Sequence, residues 1–178
     1  MSKVEPLDVD QVSFEPDVNT RRKSGVHRPK FAPLFKSNPS SISKPKRVHL
    51  FVNPFSGKKR GGKVGEIVHK QLEEAGIEVN VKISSYSGEL IDLAAGIDAK
   101  PGDVFAVVGG DGSLSEVLTG RLSAHGPCDE IFAAIPAGTG NSMAHDLKLD
   151  SAKAVVAIIG GKRQALDIAK VQIVKGLP

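Results

Sequence analysis

An α/β fold, with a mainly parallel sheet flanked by helices, is what this 178-residue sequence predicts. Two observations carry the prediction. From Arg47 onward, short apolar, β-branched runs alternate with segments of helical period. Three of those runs end in glycine-bearing loops: Asn53-Pro54-Phe55-Ser56-Gly57-Lys58, Gly109-Gly110-Asp111-Gly112-Ser113 and Pro136-Ala137-Gly138-Thr139-Gly140-Asn141.

The elements follow in order. Val48 to Val52 predicts the first strand. Val64, Ile67, Val68, Leu72 and Ala75 then recur at helical spacing, and Gly76 stops that helix. Ile77 to Ile83 alternates apolar and polar residues as a second strand. Glu89 to Ala99 gives a second helix through Leu90, Leu93, Ala94 and Ile97. Asp103 to Val108 is nearly all apolar, as a central strand covered on both faces should be. Leu114 to Leu122 predicts a helix, Ile131 to Ile135 a strand and Ser142 to Leu147 a short helix. Ser151 to Ile159 is a further helix, capped by Ser151 and ended by Gly160 and Gly161. Ala165 to Val174 predicts a last strand. No internal repeat is visible.

Composition sets the bounds. The length suits one domain with a real core but not two full ones. No apolar run reaches the roughly 18 residues of a transmembrane helix, and the N-terminus has no apolar signal-peptide core, so a soluble protein is expected. The lone Cys128 cannot form an internal disulfide and fits a reducing, cytoplasmic setting. Residues 1–45 carry Pro6, Pro16, Pro29, Pro33, Pro39 and Pro45 among scattered basic residues without a sustained period, and predict a disordered basic arm. Its one compact apolar cluster is Phe31, Leu34 and Phe35. Net charge is +4, crowded between Arg21 and Lys63. With one Tyr and no Trp for base stacking, nucleic acid is excluded as the expected partner, and an anionic membrane surface is favoured.

Glycine loops at strand ends let backbone N–H groups approach an anion, and a helix starting just beyond adds the positive end of its dipole. Ligands of α/β sheets sit beyond the carboxyl ends of the strands, where all three loops fall, so one phosphate-rich ligand held between them is expected. Asp111 is the leading catalytic candidate. A carboxylate beside phosphates would be repelled unless it holds a metal or takes a proton from an attacking hydroxyl, and both roles belong to phosphoryl transfer. Glu116, one turn beyond Ser113, is placed to cap the helix start or to contact nucleotide or Mg²⁺. Two other motifs are set aside. Gly57 to Lys63 fills the first seven positions of a P-loop, but Val64 stands where Ser or Thr should ligate Mg²⁺. Gly138-x-Gly140 lacks the third glycine of a dinucleotide fingerprint.

From about Arg47 to Ile173 the sequence resembles the diacylglycerol kinase catalytic-domain superfamily, which includes diacylglycerol, ceramide and sphingosine kinases. Asn53 to Gly57, Gly109 to Glu116 and Pro136 to Asn141 carry the resemblance. Val52 to Phe55, Pro136 to Asn141, and Ile159 to Arg163 before Leu166-Asp167 look most like sphingosine kinases, whereas the double glycine before Asp111 looks more like diacylglycerol kinases. The resemblance implies a lipid kinase that uses ATP and Mg²⁺, with γ-phosphate passing to a hydroxyl of a sphingoid base or diacylglycerol. It implies an ATP site formed by Asn53, Pro54, Phe55, Ser56, Gly57, Gly109, Gly110, Asp111, Gly112, Ser113, Glu116, Gly138, Thr139, Gly140 and Asn141, with Ser84 a weaker match. Ser113 stands where the family more often has Thr, and the hydroxyl survives. The Asp matching Asp111 is regarded as the general base in sphingosine kinases, whereas a carboxylate of the second domain is implicated in bacterial diacylglycerol kinases. The resemblance also implies the domain plan: the arm, a catalytic domain over 46–164, and 165–178 as a strand leading into an absent β-rich lipid-binding domain. The rival readings are a non-catalytic nucleotide-binding fragment or regulator, and an NAD kinase-like enzyme that shares the Gly-Gly-Asp-Gly loop.

Overall fold

A computed structural model describes residues 43–126, 130–166 and 168. The 1–45 arm but for its last three residues, Cys128, and most of the strand expected over 165–174 lie outside the described residues. Ile42–Lys162 form one compact unit.

Four parallel strands make one sheet: β1 (Arg47–Val52), β2 (Glu78–Ile83), β3 (Val104–Gly109) and β4 (Ile131–Pro136), in the order β2-β1-β3-β4. Val52 pairs with Ile83 on one side and Val108 on the other, and Gly109 pairs with Pro136, so the carboxyl ends finish level. That alignment brings the three glycine loops to one pole. Each described strand lies within a residue or two of its sequence expectation, because the apolar runs of β1 and β3, whose residues from Val48 onward are buried, and the alternation in β2 are strong local patterns.

Helices cover both faces. On one, α2 (Gly61–Glu74) and α6 (Ser151–Ile159) place Val68, Leu72, Ala154, Val155 and Ile158 against Val48, Leu50, Val52, Ala106 and Val108. On the other, α3 (Glu89–Ala95) and α4 (Asp111–His125) pack Leu90, Ala94, Leu114 and Val117 against Phe51, Phe105 and Val107. Each large side chain so buried contributes about 1.5–3 kcal/mol of hydrophobic stabilisation. Two shorter segments, α1 (Ser56–Lys59) and α5 (Ser142–Asp146), sit in the first and third loops.

The sequence reading is corrected at the end of α3, at both ends of α4, at the last residue of α5 and at the cap of α6. α3 stops at Ala95 rather than Ala99, because Gly96 occupies its C-cap; buried Arg121 donates to the carbonyls of Ala94 and Ile97 (3.2 and 2.6 Å), the first of which also accepts from Ile97 N at 3.2 Å. α4 starts three residues early, at Asp111. α6 is capped by Asp150, whose Oδ1 accepts from Lys153 N at 2.8 Å; Ser151 instead donates to Pro136 O, also 2.8 Å.

At the pole opposite the loops, His49 Nε2 and Asp103 Oδ2 lie 3.1 Å apart in the interior, with Phe105 against the imidazole. Burial pushes the Asp103 carboxyl up. The Lys100 N–H, His49 and Arg47 outweigh that and hold it below its usual range. The Arg121 guanidinium pairs with Glu130 and lies 4.6 Å from the centre of the Phe105 ring.

α3 and α4 cross at Gly120, where a Cβ would sit 2.1 Å from Ile91 O. Although alanine favours helix, Gly120→Ala is expected to lower unfolding free energy by about 1–3 kcal/mol through overpacking against a backbone that cannot retreat. Urea denaturation checks this, and an unchanged or raised midpoint would contradict the packing.

Candidate functional site: three interlocked glycine loops

The first loop begins as β1 ends. Asn53 N donates to Val108 O (3.0 Å), extending the β1–β3 ladder by one bond. The Asn53 side chain then does two things: its Oδ1 accepts from Phe55 N (3.0 Å), closing an Asx turn, and its Nδ2 donates to Ser113 Oγ (3.0 Å) in the second loop. Ser56 Oγ returns to Asn53 O at 2.9 Å. Beyond it the backbone turns left-handed for three residues, with φ of 56° at Gly57, 59° at Lys58 and 66° at Lys59. A side chain in that region costs about 1–2 kcal/mol per residue, so the two lysines are held there by their surroundings. Gly57 has no alternative, since its Cβ would lie 1.9 Å from Ala137 O of the third loop.

The second loop is short because α4 begins inside it. Gly110 is the extended N-cap, Asp111 and Gly112 open the helix in solvent, and Ser113 is buried under the turn. The first intrahelical bond, Leu114 N to Gly110 O at 3.2 Å, leaves the earlier N–H groups without an intrahelical acceptor, as at any helix start. Gly112 stands in the open: a Cβ there would meet no heavy atom within 4 Å.

The third loop is zipped onto the second. Ala137 N and Gly138 N both donate to Gly109 O (2.9 and 3.1 Å), and a Cβ on Gly138 would fall 2.6 Å from Gly110 Cα. Asn141, left-handed at φ 53°, closes the loop by accepting from Gly138 N (3.0 Å) and donating to Gly138 O (2.8 Å). Thr139 and Gly140 are left at the exposed crest.

The structure thus brings together Asn53 to Gly57, Gly109 to Ser113 and Gly138 to Asn141. Between β3, β4 and α5 lies a cavity of about 10 Å³, room for about one water. Two expected residues are directed elsewhere. Glu116 Oε1 accepts from Gly88 N at 3.2 Å, which ties α4 to the start of α3 rather than capping its own helix. Ser84 is buried with its hydroxyl 3.4 Å from Val52 O. One residue absent from the expected set is Gly61, whose Cβ would sit 2.0 Å from Asn53 O. The Gly61-Gly62 doublet ahead of the first helical repeat was its sequence signal.

Asp111 bridges the second loop to α5. Its Oδ2 accepts from Ser142 N (2.8 Å) and its Oδ1 from Met143 N (3.2 Å). These two N–H groups hold the carboxyl below its ordinary range, and α5, whose own N-cap Asn141 gives no side-chain bond to it, takes Asp111 as its cap.

Residues 47–171, well over half the chain, match the family described as the diacylglycerol kinase catalytic domain. The chain belongs to this family. It is 31% identical over 141 residues to sphingosine kinase 1 of Arabidopsis thaliana, covering 74% of this chain and 29% of the relative. It is 30% identical over 131 residues to the diacylglycerol kinase of Bacillus subtilis, covering 71% and 42%. A ceramide kinase of rice is 37% identical over 83 residues, covering 45% and 14%. In fold, the chain is similar to a solved putative diacylglycerol kinase from Bacillus anthracis, with a TM-score of 0.55 and 24% identity over 67% of this chain and 42% of that one. The chain therefore spans less than half the length of these relatives.

The Asp111 bridge has a pH signature. A carboxyl with a lowered folded pKa stabilises fully above its unfolded value of about 3.9, and that stabilisation is lost as pH falls through the folded value. Asp111→Ala is expected to melt below the parent at neutral pH, with faster amide exchange at Ser142 and Met143. The gap should close below about pH 4. Thermal melts across that range provide the check, and coincident melts at every pH would refute the bridge.

Proposed function

We propose that this chain is the ATP-binding part of a lipid kinase that transfers the γ-phosphoryl group to the hydroxyl of a sphingoid base or diacylglycerol. The observation that carries the reading is the open space over Gly112. It stands at a helix N-terminus where Gly112 N and Ser113 N have no intrahelical acceptor, with Thr139 and Gly140 exposed on the adjoining crest. Family membership supports phosphoryl transfer and favours this over the NAD kinase-like reading, and the relatives' names support both kinds of acceptor.

In this reading the acceptor oxygen bonds to the γ-phosphorus, the bond from that phosphorus to the leaving ADP oxygen breaks, and the hydroxyl proton passes to Asp111. A loose transition state retains that proton until late, when the hydroxyl has become acidic, so a carboxylate held ionised by Ser142 and Met143 suffices. The chain's larger contribution is positioning: the interlocked loops fix the N–H donors before the nucleotide arrives. Mg²⁺, when bound with the nucleotide, neutralises phosphate charge. Asp111 has the right donor chemistry, and no group of three or more His, Cys, Asp or Glu suited to a metal occurs among the described residues, so phosphate oxygens and water would supply most of its ligands.

Association with an anionic membrane belongs to the same proposal, supported by the exposed Lys58, Lys59, Arg60 and Lys63 beside the loops. No helix among the described residues is long and apolar enough to cross a membrane.

Gly112→Val separates ligand sterics from folding, because its side chain enters open space. Its melting temperature is expected to stay within the range of an ordinary surface substitution, about 0.5 kcal/mol in stability. Its affinity for Mg·ATP by calorimetry should fall at least about tenfold, a loss of about 1.4 kcal/mol. Unchanged affinity in a folded variant would remove the phosphate cradle over Gly112 and place the nucleotide elsewhere on the chain, whereas a parent chain that binds no Mg·ATP would sink the nucleotide-binding reading itself.

A further inference from the structure

Six large apolar side chains stand exposed among the described residues, and four of them, Phe55, Ile67, Ile83 and Tyr86, lie about the end of β1. Val52 is their common neighbour. Ile83 is its ladder partner on β2, and Ser84 N donates to Val52 O (3.0 Å), so Tyr86 follows in the exposed segment 85–87. Phe55 comes three residues after Val52, in the first loop. α2 lies on Val52 through Gly65, where a Cβ would fall 2.8 Å from Val52 Cγ1, and Ile67 is two residues further along that helix. Apolar residues scattered singly over a surface are ordinary, whereas a cluster rimmed by charge marks a contact.

The rim is basic. Segments 53–67 and 82–88 carry Lys58, Lys59, Arg60, Lys63 and Lys82 against one acid, Glu66. The first four are exposed, and none of them has an acidic partner among the described residues. Lys58 and Lys59 emerge from backbone held left-handed (φ 59° and 66°), in a turn closed by Arg60 N to Ser56 O (3.0 Å) and Arg60 Nε to Gly57 O (2.9 Å). Residues with side chains avoid that region, so the turn fixes two adjacent cations beside Phe55 against local preference.

We propose that this β1–β2 side of the carboxyl pole is the face that enters an anionic bilayer, with Tyr86, Ile83 and Phe55 in the headgroup boundary and the basic rim on lipid phosphates and carboxylates. Charge complementarity selects the occupant. An anionic leaflet matches uncompensated cations around an apolar centre, and tyrosine suits the membrane–water boundary. A second copy of this chain would bring the same cations face to face. The inference rests on the lipid kinase reading and specifies the surface by which the chain meets the membrane.

Tyr86 is the chain's one tyrosine and there is no tryptophan, so intrinsic fluorescence reports this surface alone. Vesicles of phosphatidylserine and phosphatidylcholine with brominated acyl chains are added to the 178-residue chain, and Mg·ATP affinity is measured by calorimetry on the same preparation. The vesicles should quench Tyr86 emission, less so as salt is raised, and far less when phosphatidylserine is left out. In an Ile83→Ser, Tyr86→Ser double variant, affinity in vesicle co-sedimentation should fall about tenfold, with melting temperature and Mg·ATP affinity as in the parent. Three results would overturn the inference and leave the kinase reading standing: a parent chain that binds Mg·ATP but no vesicle, vesicle binding that leaves Tyr86 emission unquenched, or a double variant that binds vesicles at parental strength. A normally melting double variant with weakened Mg·ATP affinity would give Tyr86 to the nucleotide and overturn it as well. Failure of the parent chain to bind Mg·ATP would instead sink the kinase reading on which the inference rests.

Discussion

Gly138 lies against Gly110 with no room for another carbon, and the carbonyl of Gly109 accepts the N–H groups of both Ala137 and Gly138. That backbone-to-backbone contact joins the ends of β3 and β4 beyond the last ladder pair. Loop one is fastened to the same block through Asn53 to Ser113 and through Gly57 beneath Ala137 O. Three turns that would each be mobile alone therefore share one set of constraints. The donors at the start of α4 are held by contacts within the protein, so phosphate binding, as proposed, would not have to order a loop at each event.

The same contact explains why so many glycines stand here for different reasons. Gly57 and Gly138 are required by neighbouring protein backbone, and Gly109 by the Ser113 side chain. Gly112, in the first turn of α4, would place a Cβ with no heavy atom of the described residues within 4 Å, so it faces open space. Asp111 has a double character. It stands exposed at the start of α4, yet its carboxylate ties the start of α5 to the second loop.

Much of this was legible in the sequence where the pattern was local and strong. The all-apolar run of β3, the alternating run of β2 and the strand-end position of each glycine loop gave four strands, their order of appearance and the pole of the site. What the sequence withheld depended on tertiary partners. The carbonyls of Ala94 and Ile97, at the end of α3, are taken by Arg121, far along the chain. Asp111 looked like a loop tip because its partners, the Ser142 and Met143 N–H groups at the start of α5, lie far along the chain. Glu116 sat at capping distance in sequence but found Gly88 N across the helix pair. Ser151 and Asp150 are both good caps, and only the carbonyl of Pro136 decides which serves the helix.

In the proposed function, three loops locked by backbone contact form one preorganised phosphate cradle at the carboxyl pole. Amide chemical shifts of the 178-residue chain, recorded with and without a non-hydrolysable Mg·ATP analogue, address it most directly. The account predicts large changes at Gly57, Lys58, Gly112, Ser113, Thr139 and Gly140, with the strand pairing of Gly109 and Ala137 undisturbed. Saturable changes confined to the opposite pole, around His49 and Asp103, or a spectrum that the nucleotide analogue leaves unmoved, would contradict it.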